Sequence, residues 1–311
     1  MRVGQNPAKY LKKVALPAPV TVAVLNYIPF IGGFYQQVPD VLRTCINSIR
    51  EATKQPFDLM IFDNGSCPEV RQMLMEDFDQ GIIQYLILSD KNLGKGGAWN
   101  IIFGGAPGEI IAYTDNDVLY SKGWLRRSLE LLDTYPNVGM VTARPIRTDP
   151  SWNTHTVEWA EANPDVTMEH GQLVPREILL EFDRSLGKEA GFEDFYNSTS
   201  DTRLAFRGIQ AYVGASHWQF IARKDILTQF LPFQMDRPMQ QVSRLDLRMN
   251  DAGFLRLMVP DPLVANMSNT LPGTTSPTIY KSGRHNALLE FPPVKKLLMG
   301  LYNRIFHWYF Q

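Results

Sequence analysis

Cysteine is nearly absent from this chain. Only Cys45 and Cys67 occur in 311 residues, and no CxxC spacing exists. A disulfide framework is excluded, and the two read as a small core residue and a loop residue in a reducing compartment. Net charge is absent too: 31 Lys and Arg against 32 Asp and Glu leave a formal charge of -1. No global basic field exists to draw in nucleic acid, so no nucleic-acid partner is expected. Long apolar runs are missing as well. Nowhere do about 18 consecutive apolar residues occur, so no transmembrane helix is expected. Lys9, Lys12 and Lys13 ahead of Val14 to Leu25 imitate a signal peptide. Pro17 and Pro19 break that stretch, and no small-residue cleavage site follows it before Asn26. It reads as a linker into a strand, and a cytoplasmic location is the expectation. Internal repeats and low-complexity tracts are lacking.

What is present is a globular composition, 44% hydrophobic and 20% charged, in a length that suits one large domain or two small ones. Val20 to Leu25 is β-branched and apolar, the profile of a strand buried on both faces. A loop with Gly32 and Gly33 leads to a helix opened by Pro39 and Asp40, with Val41, Leu42, Cys45, Ile46 and Ile49 on one face. Phe57 to Phe62 predicts a second strand, ending in Asp63-Asn64-Gly65-Ser66, and Pro68 opens a helix to about Phe78. Ile82 to Leu88 predicts a third strand, followed by a polar, glycine-bearing loop from Ser89 and a short helix over Trp99 to Phe103. Glu109 to Thr114 and Val138 to Thr142 read as strands, with a helix over Trp124 to Leu132 between them.

From Arg144 to Gly208 the chain reads as irregular and polar, a lid-like insertion with one helix near Arg176 to Phe182. Tyr212 to Ala222 predicts strands around Gly214, and Pro238 to Asp251 a helix with Gly253 at its C-terminal cap. Phe254 to Val259 and Leu263 to Met267 read as further strands, Leu271 to Gly283 as a loop, and Val294 to Phe310 as a final amphipathic helix.

Strands alternating with helices across short loops imply a mostly parallel sheet covered on both sides. Ligands bind such sheets beyond the carboxyl ends of the strands. The polar clusters all fall there: Asn26-Tyr27, Asp63 to Ser66, Ser89 to Gly97, and Asp115 to Asp117. The opposite edge, near Gln55-Pro56, Gln80-Gly81 and Pro107-Gly108, carries only short plain turns. The most pointed cluster is Asp115 and Asp117, two carboxylates one residue apart where an apolar run stops. Alternate side chains of a strand share a face, so both can reach one point. Two hard oxygen donors suit Mg²⁺ or Mn²⁺, with water and substrate phosphates completing the shell. An Asp-rich turn is the other reading of the same residues. The segment around Lys95 is neither a Walker A loop, because GxxxxGK[ST] spacing is missing, nor a dinucleotide fingerprint, because Trp99 stands where the third glycine is needed.

Taken in order, Val22-Ala23-Val24-Leu25-Asn26-Tyr27, Ile61-Phe62-Asp63-Asn64-Gly65-Ser66, Asn92 to Asn100, and Tyr113-Thr114-Asp115-Asn116-Asp117-Val118, followed by Gly123-Trp124-Leu125, resemble the family-2 glycosyltransferases. The likeness covers residues 20 to 145 well and 210 to 267 loosely. It implies an α/β, GT-A (Rossmann-like) fold: a mostly parallel central sheet flanked by helices, then a C-terminal acceptor-binding part and a helical tail. On it the chain divides into a linker (1–19), a nucleotide-sugar-binding half (20–143), an acceptor-binding half (144–270) that carries the insertion 144–208, and a tail (271–311). The implied activity is transfer of a sugar, with inversion, from a nucleotide-diphosphate sugar, UDP-sugar foremost, to a hydroxyl of a glycan, glycolipid or protein. Mn²⁺ or Mg²⁺ held by Asp115 and Asp117 would bridge the donor diphosphate as a Lewis acid, with Asp115 and Asn116 also beside the ribose or sugar. Asp63 matches a position that accepts from an imide N–H of the base, a helix cap being its other role. Asn26 and Tyr27 line the base and ribose pocket. Asn92, Lys95 and Gly96 belong to the loop that approaches the donor, where Lys95 contacts a phosphate or the base, or is a solvated charge.

Two features depart from the family pattern. Its Glu-Asp or Asp-Asp pair, the source of the general base, is missing from Gln241 to Gly253, and Val242 stands at the expected position. Asp246 is the nearest carboxylate, Asp236 the runner-up, and Glu193 or Asp194 of the insertion a further source. Where relatives place a His as third metal ligand, this chain has Asn266. His217 and Trp218 are candidates for acceptor contact, with structural packing as the alternative. The basic and aromatic tail helix is open to peripheral membrane contact, to a homodimer contact or to packing on its own domain. Two alternatives to a transferase stand: a degenerate nucleotide-sugar- or glycan-binding protein, and a sugar-nucleotide nucleotidyltransferase. The latter is disfavoured because Asn26-Tyr27 runs into Ile28-Pro29-Phe30 without a glycine-rich loop.

Overall fold

The computed structural model describes residues 4–235, 242–271 and 304. Asp236 and the tail helix over 294–310, Arg304 excepted, lie outside the described residues. In chain order the first half contains β1 (Val20–Asn26), α1 (Val38–Ala52), β2 (Phe57–Asp63), α2 (Pro68–Asp79), β3 (Tyr85–Leu88), α3 (Gly94–Gly105), β4 (Ile110–Asp115), β5 (Val118–Tyr120), α4 (Trp124–Thr134) and β6 (Val138–Thr142). The second contains α5 (Thr154–Ala162), β7 (Val166–Gly171), α6 (Arg176–Ser185), α7 (Phe192–Ser198), β8 (Asp201–Phe206), β9 (Ile209–Val213), β10 (Gln219–Arg223), α8 (Lys224–Thr228), α9 (Val242–Asp251), β11 (Leu255–Met258) and β12 (Val264–Asn266).

The main sheet has the order β3-β2-β1-β4-β10-β6-β11-β9-β8-β7. From β3 to β11 every strand runs one way except β10, which is antiparallel to both β4 and β6. The carboxyl ends of the parallel strands therefore share one edge, and the start of β10 joins them there. β1 sits centrally because Val20, Val22, Ala23 and Val24 are all buried between two layers. One layer packs α1, α2 and α4 on the sheet through Val41, Leu42, Ile46, Leu74 and Leu131. The other packs α3, α8 and α9 through Trp99, Phe103, Leu227 and Leu245. Burial of such apolar side chains contributes roughly 1.5–3 kcal/mol each.

The insertion is not the irregular lid the sequence suggests. It forms α5, β7, α6, α7 and β8, and β7 and β8 continue the sheet beyond β9 as antiparallel strands. β7 is an edge strand whose side chains alternate between half-buried and exposed. Half-solvated edge strands carry polar residues, which hides their periodicity. A second, two-stranded sheet pairs β5 with β12. No helix among the described residues is long and apolar enough to cross a membrane.

Candidate active site

At the ligand edge the ends of β1 and β2 are in register, Asn26 opposite Asp63. The Asn26 amide donates to Asp63 Oδ1 at 2.8 Å and to Ser66 Oγ at 3.0 Å, and the Ser66 N–H donates to Asp63 Oδ2 at 3.1 Å. The Asn116 amide in turn donates to Asn26 Oδ1 at 2.7 Å. A second bridge joins β2 to the loop before α3: Asn64 donates to Asn92 Oδ1 at 3.0 Å, and Asn92 Oδ1 also accepts from the Gly94 N–H at 2.8 Å. Gly65 makes this approach feasible. It sits at φ +90°, and a Cβ there would stand 2.9 Å from the Lys91 carbonyl carbon. Asp63 and Asn26 are fully buried by these contacts. Asp63, expected to meet a nucleotide base, also ties the loops together, each of its oxygens accepting from one protein donor. The groups left open at this end are the half-buried Tyr27 and the exposed Asn92. Gly96 lies buried inside α3.

Asp115 ends β4, and its N–H donates to the Trp218 carbonyl at 2.9 Å. Lys95 Nζ lies 2.8 Å from the Asp115 carboxylate, and the Tyr113 hydroxyl donates to Oδ1 at 2.6 Å. Lys95 also stands over the Trp99 and Tyr113 rings, 5.7 and 5.6 Å from their centroids. Burial, followed by the Asp115 charge, raises the Tyr113 hydroxyl well above its ordinary pKa. Asp117 is different. No described side chain hydrogen-bonds to its carboxylate or pairs with it. Burial and the Asp115 charge push its pKa up to about 7, with Lys95 opposing. The β5–β12 pairing sets Asn266 opposite Val118, and the Met267 N–H donates to the Asp117 carbonyl at 2.7 Å. Asn266 is thus brought beside Asp117, although its Oδ1 already accepts the Ser268 N–H at 2.6 Å. No group of three His, Cys, Asp or Glu side chains converges for a metal among the described residues. The donor set still fits Mn²⁺ or Mg²⁺. Two crowded carboxylates, one without a side-chain hydrogen-bond partner among the described residues, carry excess negative charge that a divalent cation would neutralise, with the other positions left to phosphate oxygens.

The segment Gly214 to Trp218 delivers the second half of the chain to the same edge. The Ser216 N–H donates to Thr142 Oγ1 at 2.8 Å, and Gln219 Oε1 accepts the Ala143 N–H at 2.9 Å. His217 is a quarter exposed, and its Nδ1 lies 2.6 Å from Asp246 Oδ2. Asp246 itself is fully buried on α9. Its other oxygen pairs with Arg256 of β11, whose guanidinium also donates to the carbonyls of Ala215 at 2.6 Å and Trp152 at 2.8 Å, and to Asn153 Oδ1 at 2.9 Å. The expectation that Asp246 faces the cleft as a base is corrected by this burial; His217 stands in front of it. Trp218 is 8% exposed and stacks on Phe182 at 5.5 Å, so it is a core contact and not an open platform for a sugar. Glu193 and Asp194 lie exposed on α7, where Glu193 pairs with Arg176. Arg256 was not anticipated. Its signal was a lone cation inside the apolar run Phe254 to Val259, which a buried strand tolerates only with a carboxylate partner. A cavity of about 560 Å³ opens past β11, lined among others by Arg147, Thr148, Thr199, Asp201, Tyr212 and Met258.

A sheet of this order, with β10 the one reversed strand between β3 and β11 and the polar clusters on the carboxyl edge, is of the GT-A class. Residues 33–198, more than half of the chain, match the family described as Glycosyl transferase family 2, and the chain belongs to that family. Over 100 residues it is 30% identical to an uncharacterised glycosyltransferase of Nostoc sp. (strain PCC 7120), a match covering 32% of this chain and 31% of that protein. Among solved structures, the mannosyltransferase PcManGT from Pyrobaculum calidifontis, in complex with GDP-Man and Mn²⁺, is similar with a TM-score of 0.46 and 18% identity, covering 82% of this chain and 60% of that one. TarS from S. aureus (residues 1–349) is similar with a TM-score of 0.46 and 13% identity, covering 79% and 59%. The chain spans less than two thirds of each of these proteins.

Proposed function

We propose that this protein transfers a sugar, with inversion, from a nucleotide-diphosphate sugar, UDP-sugar foremost, to an acceptor hydroxyl, using Mn²⁺ or Mg²⁺. One observation carries the reading: the unpaired Asp117 carboxylate beside the Lys95–Asp115 pair, at the shared carboxyl edge of β1, β2 and β4. Asp117 holds the cation, with Asp115 and Asn266 next to it. The bound cation supplies Lewis-acid stabilisation of the leaving diphosphate. Lys95, 2.8 Å from Asp115, would contact a phosphate oxygen of the donor. Tyr27 and Asn92 border the nucleoside end of the cleft. Residues 20–143 form the donor half and 144–270 the acceptor half, whose cavity past β11 offers hydroxyl-rich walls to a glycan-like acceptor.

The second reading is a nucleotide-sugar- or glycan-binding protein without turnover. It is favoured by Val242 at the position where the family carries a carboxylate. Thermal melts with UDP-glucose, UDP-N-acetylglucosamine or GDP-mannose in Mn²⁺, paired with assays of nucleotide release, separate the two. Stabilisation with nucleotide release supports the transferase. Stabilisation without release on any acceptor supports the binding protein, and no stabilisation by any donor sinks both.

A further inference from the structure

We propose that His217 is the general base of the transfer, and that Asp246 and Arg256 are its positioning residues. The inference rests on the glycosyltransferase reading and deepens it at the acceptor side. A base must reach the acceptor hydroxyl while staying in the orientation that accepts a proton. His217 satisfies both conditions. It is the partly exposed member of the group, and it sits one residue before Trp218, whose carbonyl binds the Asp115 N–H. Its Nδ1 is engaged by Asp246 at 2.6 Å, while Nε2 has no partner among the described residues. A carboxylate on Nδ1 fixes the tautomer with the proton on Nδ1 and the lone pair on Nε2, and it stabilises the imidazolium formed on proton uptake.

Asp246 is held in turn. Arg256, fully buried, gives it a counter-charge, and the same guanidinium grips the Ala215 carbonyl two residues before His217. Arg256 thus fixes both the carboxylate and the backbone that presents the imidazole. In the step itself, the acceptor oxygen bonds to the anomeric carbon as its proton passes to Nε2. The bond from that carbon to the diphosphate oxygen breaks, and its electron pair leaves with the diphosphate. His217 then returns the proton to solvent.

The chain contains 5 histidines, so ¹⁵N-histidine labelling with His217→Asn for assignment reads the tautomer directly, without any substrate. The expected result is a proton on Nδ1 in the neutral form of the ring, and loss of that preference in Asp246→Asn. A ring with its proton on Nε2, or an Asp246→Asn ring unchanged from the parent, overturns the proposal. In turnover assays with the donor that the parent uses, His217→Ala should lose 10²–10⁴-fold in kcat. Binding of UDP with Mn²⁺ should stay within about threefold, and added imidazole should restore part of the rate. Asp246→Asn should lower kcat with little change in donor KM. A His217→Ala enzyme that keeps its rate, or one whose UDP·Mn²⁺ binding falls in parallel with it, removes His217 as base. Failure of the wider reading looks different, because then even the parent protein releases no nucleotide from any nucleotide sugar.

Discussion

Replacing Asp117 with Asn should stabilise the metal-free protein. In the fold, burial and the Asp115 charge lift the Asp117 carboxyl from 3.8 to about 7. An acid whose pKa rises on folding binds its proton more tightly in the folded state, so stability is lost as the pH climbs from about 4 towards 7 and is flat above. Three pKa units correspond to a ceiling of about 4 kcal/mol. The side chain is partly solvated, and screening reduces this to roughly 1–2 kcal/mol. For a chain of 311 residues that is a rise of about 2–3 °C in Tm. The assay is a set of thermal melts of parent and variant in EDTA from pH 5 to 8. Other titrating groups are common to both proteins, so the difference reads Asp117 together with its coupling to Asp115. It should grow between pH 5 and 7 and level off beyond. With Mn²⁺ and UDP added, the order should reverse, because the parent gains a ligand that the variant lacks. A variant no more stable than the parent at pH 8, or a difference that ignores pH, would refute the claim that Asp117 is a strained carboxylate awaiting a cation.

Lys95→Met should weaken UDP binding in Mn²⁺ about tenfold, or ~1.4 kcal/mol, by calorimetry; unchanged affinity would remove Lys95 from the donor site. Arg256→Met leaves the buried Asp246 carboxylate without its counter-charge and should cost about 3–5 kcal/mol in urea unfolding. Gly65→Ala forces a Cβ into a left-handed position 2.9 Å from the Lys91 carbonyl carbon. It should cost roughly 1–3 kcal/mol and loosen UDP binding together, since Asn64 and Asn92 would be pushed apart. A merely local cost, with UDP binding unchanged, would show that the loop bridge does not shape the cleft.

The first half was legible because its strands are buried on both faces and its helices carry a clean apolar stripe, as with Val20 to Leu25 and Val41 to Ile49. α3 was only half legible. Sequence places its start near Trp99, yet it begins at Gly94, since three glycines at its start argue locally against a helix. Close packing overrides that preference: a Cβ on Gly97 would stand 2.8 Å from both Leu93 Cβ and Met235 Cε. β5 is three residues long, too short for a period to show, whereas β12 falls inside the strand expected over Leu263 to Met267. At the site, Asp115 and Asp117 were readable from their place at a strand end. The enclosure of Asp63 and the stacking of Trp218 were not, because both depend on distant partners, Asn26 for Asp63 and Phe182 for Trp218.

β10 explains how the two halves meet. Among the strands from β3 to β11 it alone is reversed, so its beginning, and not its end, lies on the ligand edge. That reversal carries His217 to the side of Asp115 across 102 residues of chain, through the Asp115–Trp218 backbone hydrogen bond. Each half then supplies one ion pair and one further titratable group beside it. Lys95–Asp115 stands beside Asp117 on the donor side, and Asp246–Arg256 stands behind His217 on the acceptor side. On the proposed mechanism this arrangement answers the loss of the family's carboxylate pair. Asp246 lies four residues beyond Val242, about one helical turn deeper, where it is out of reach of an acceptor. An imidazole placed between the buried carboxylate and the cleft covers that distance, so the base function moves from α9 to the start of β10.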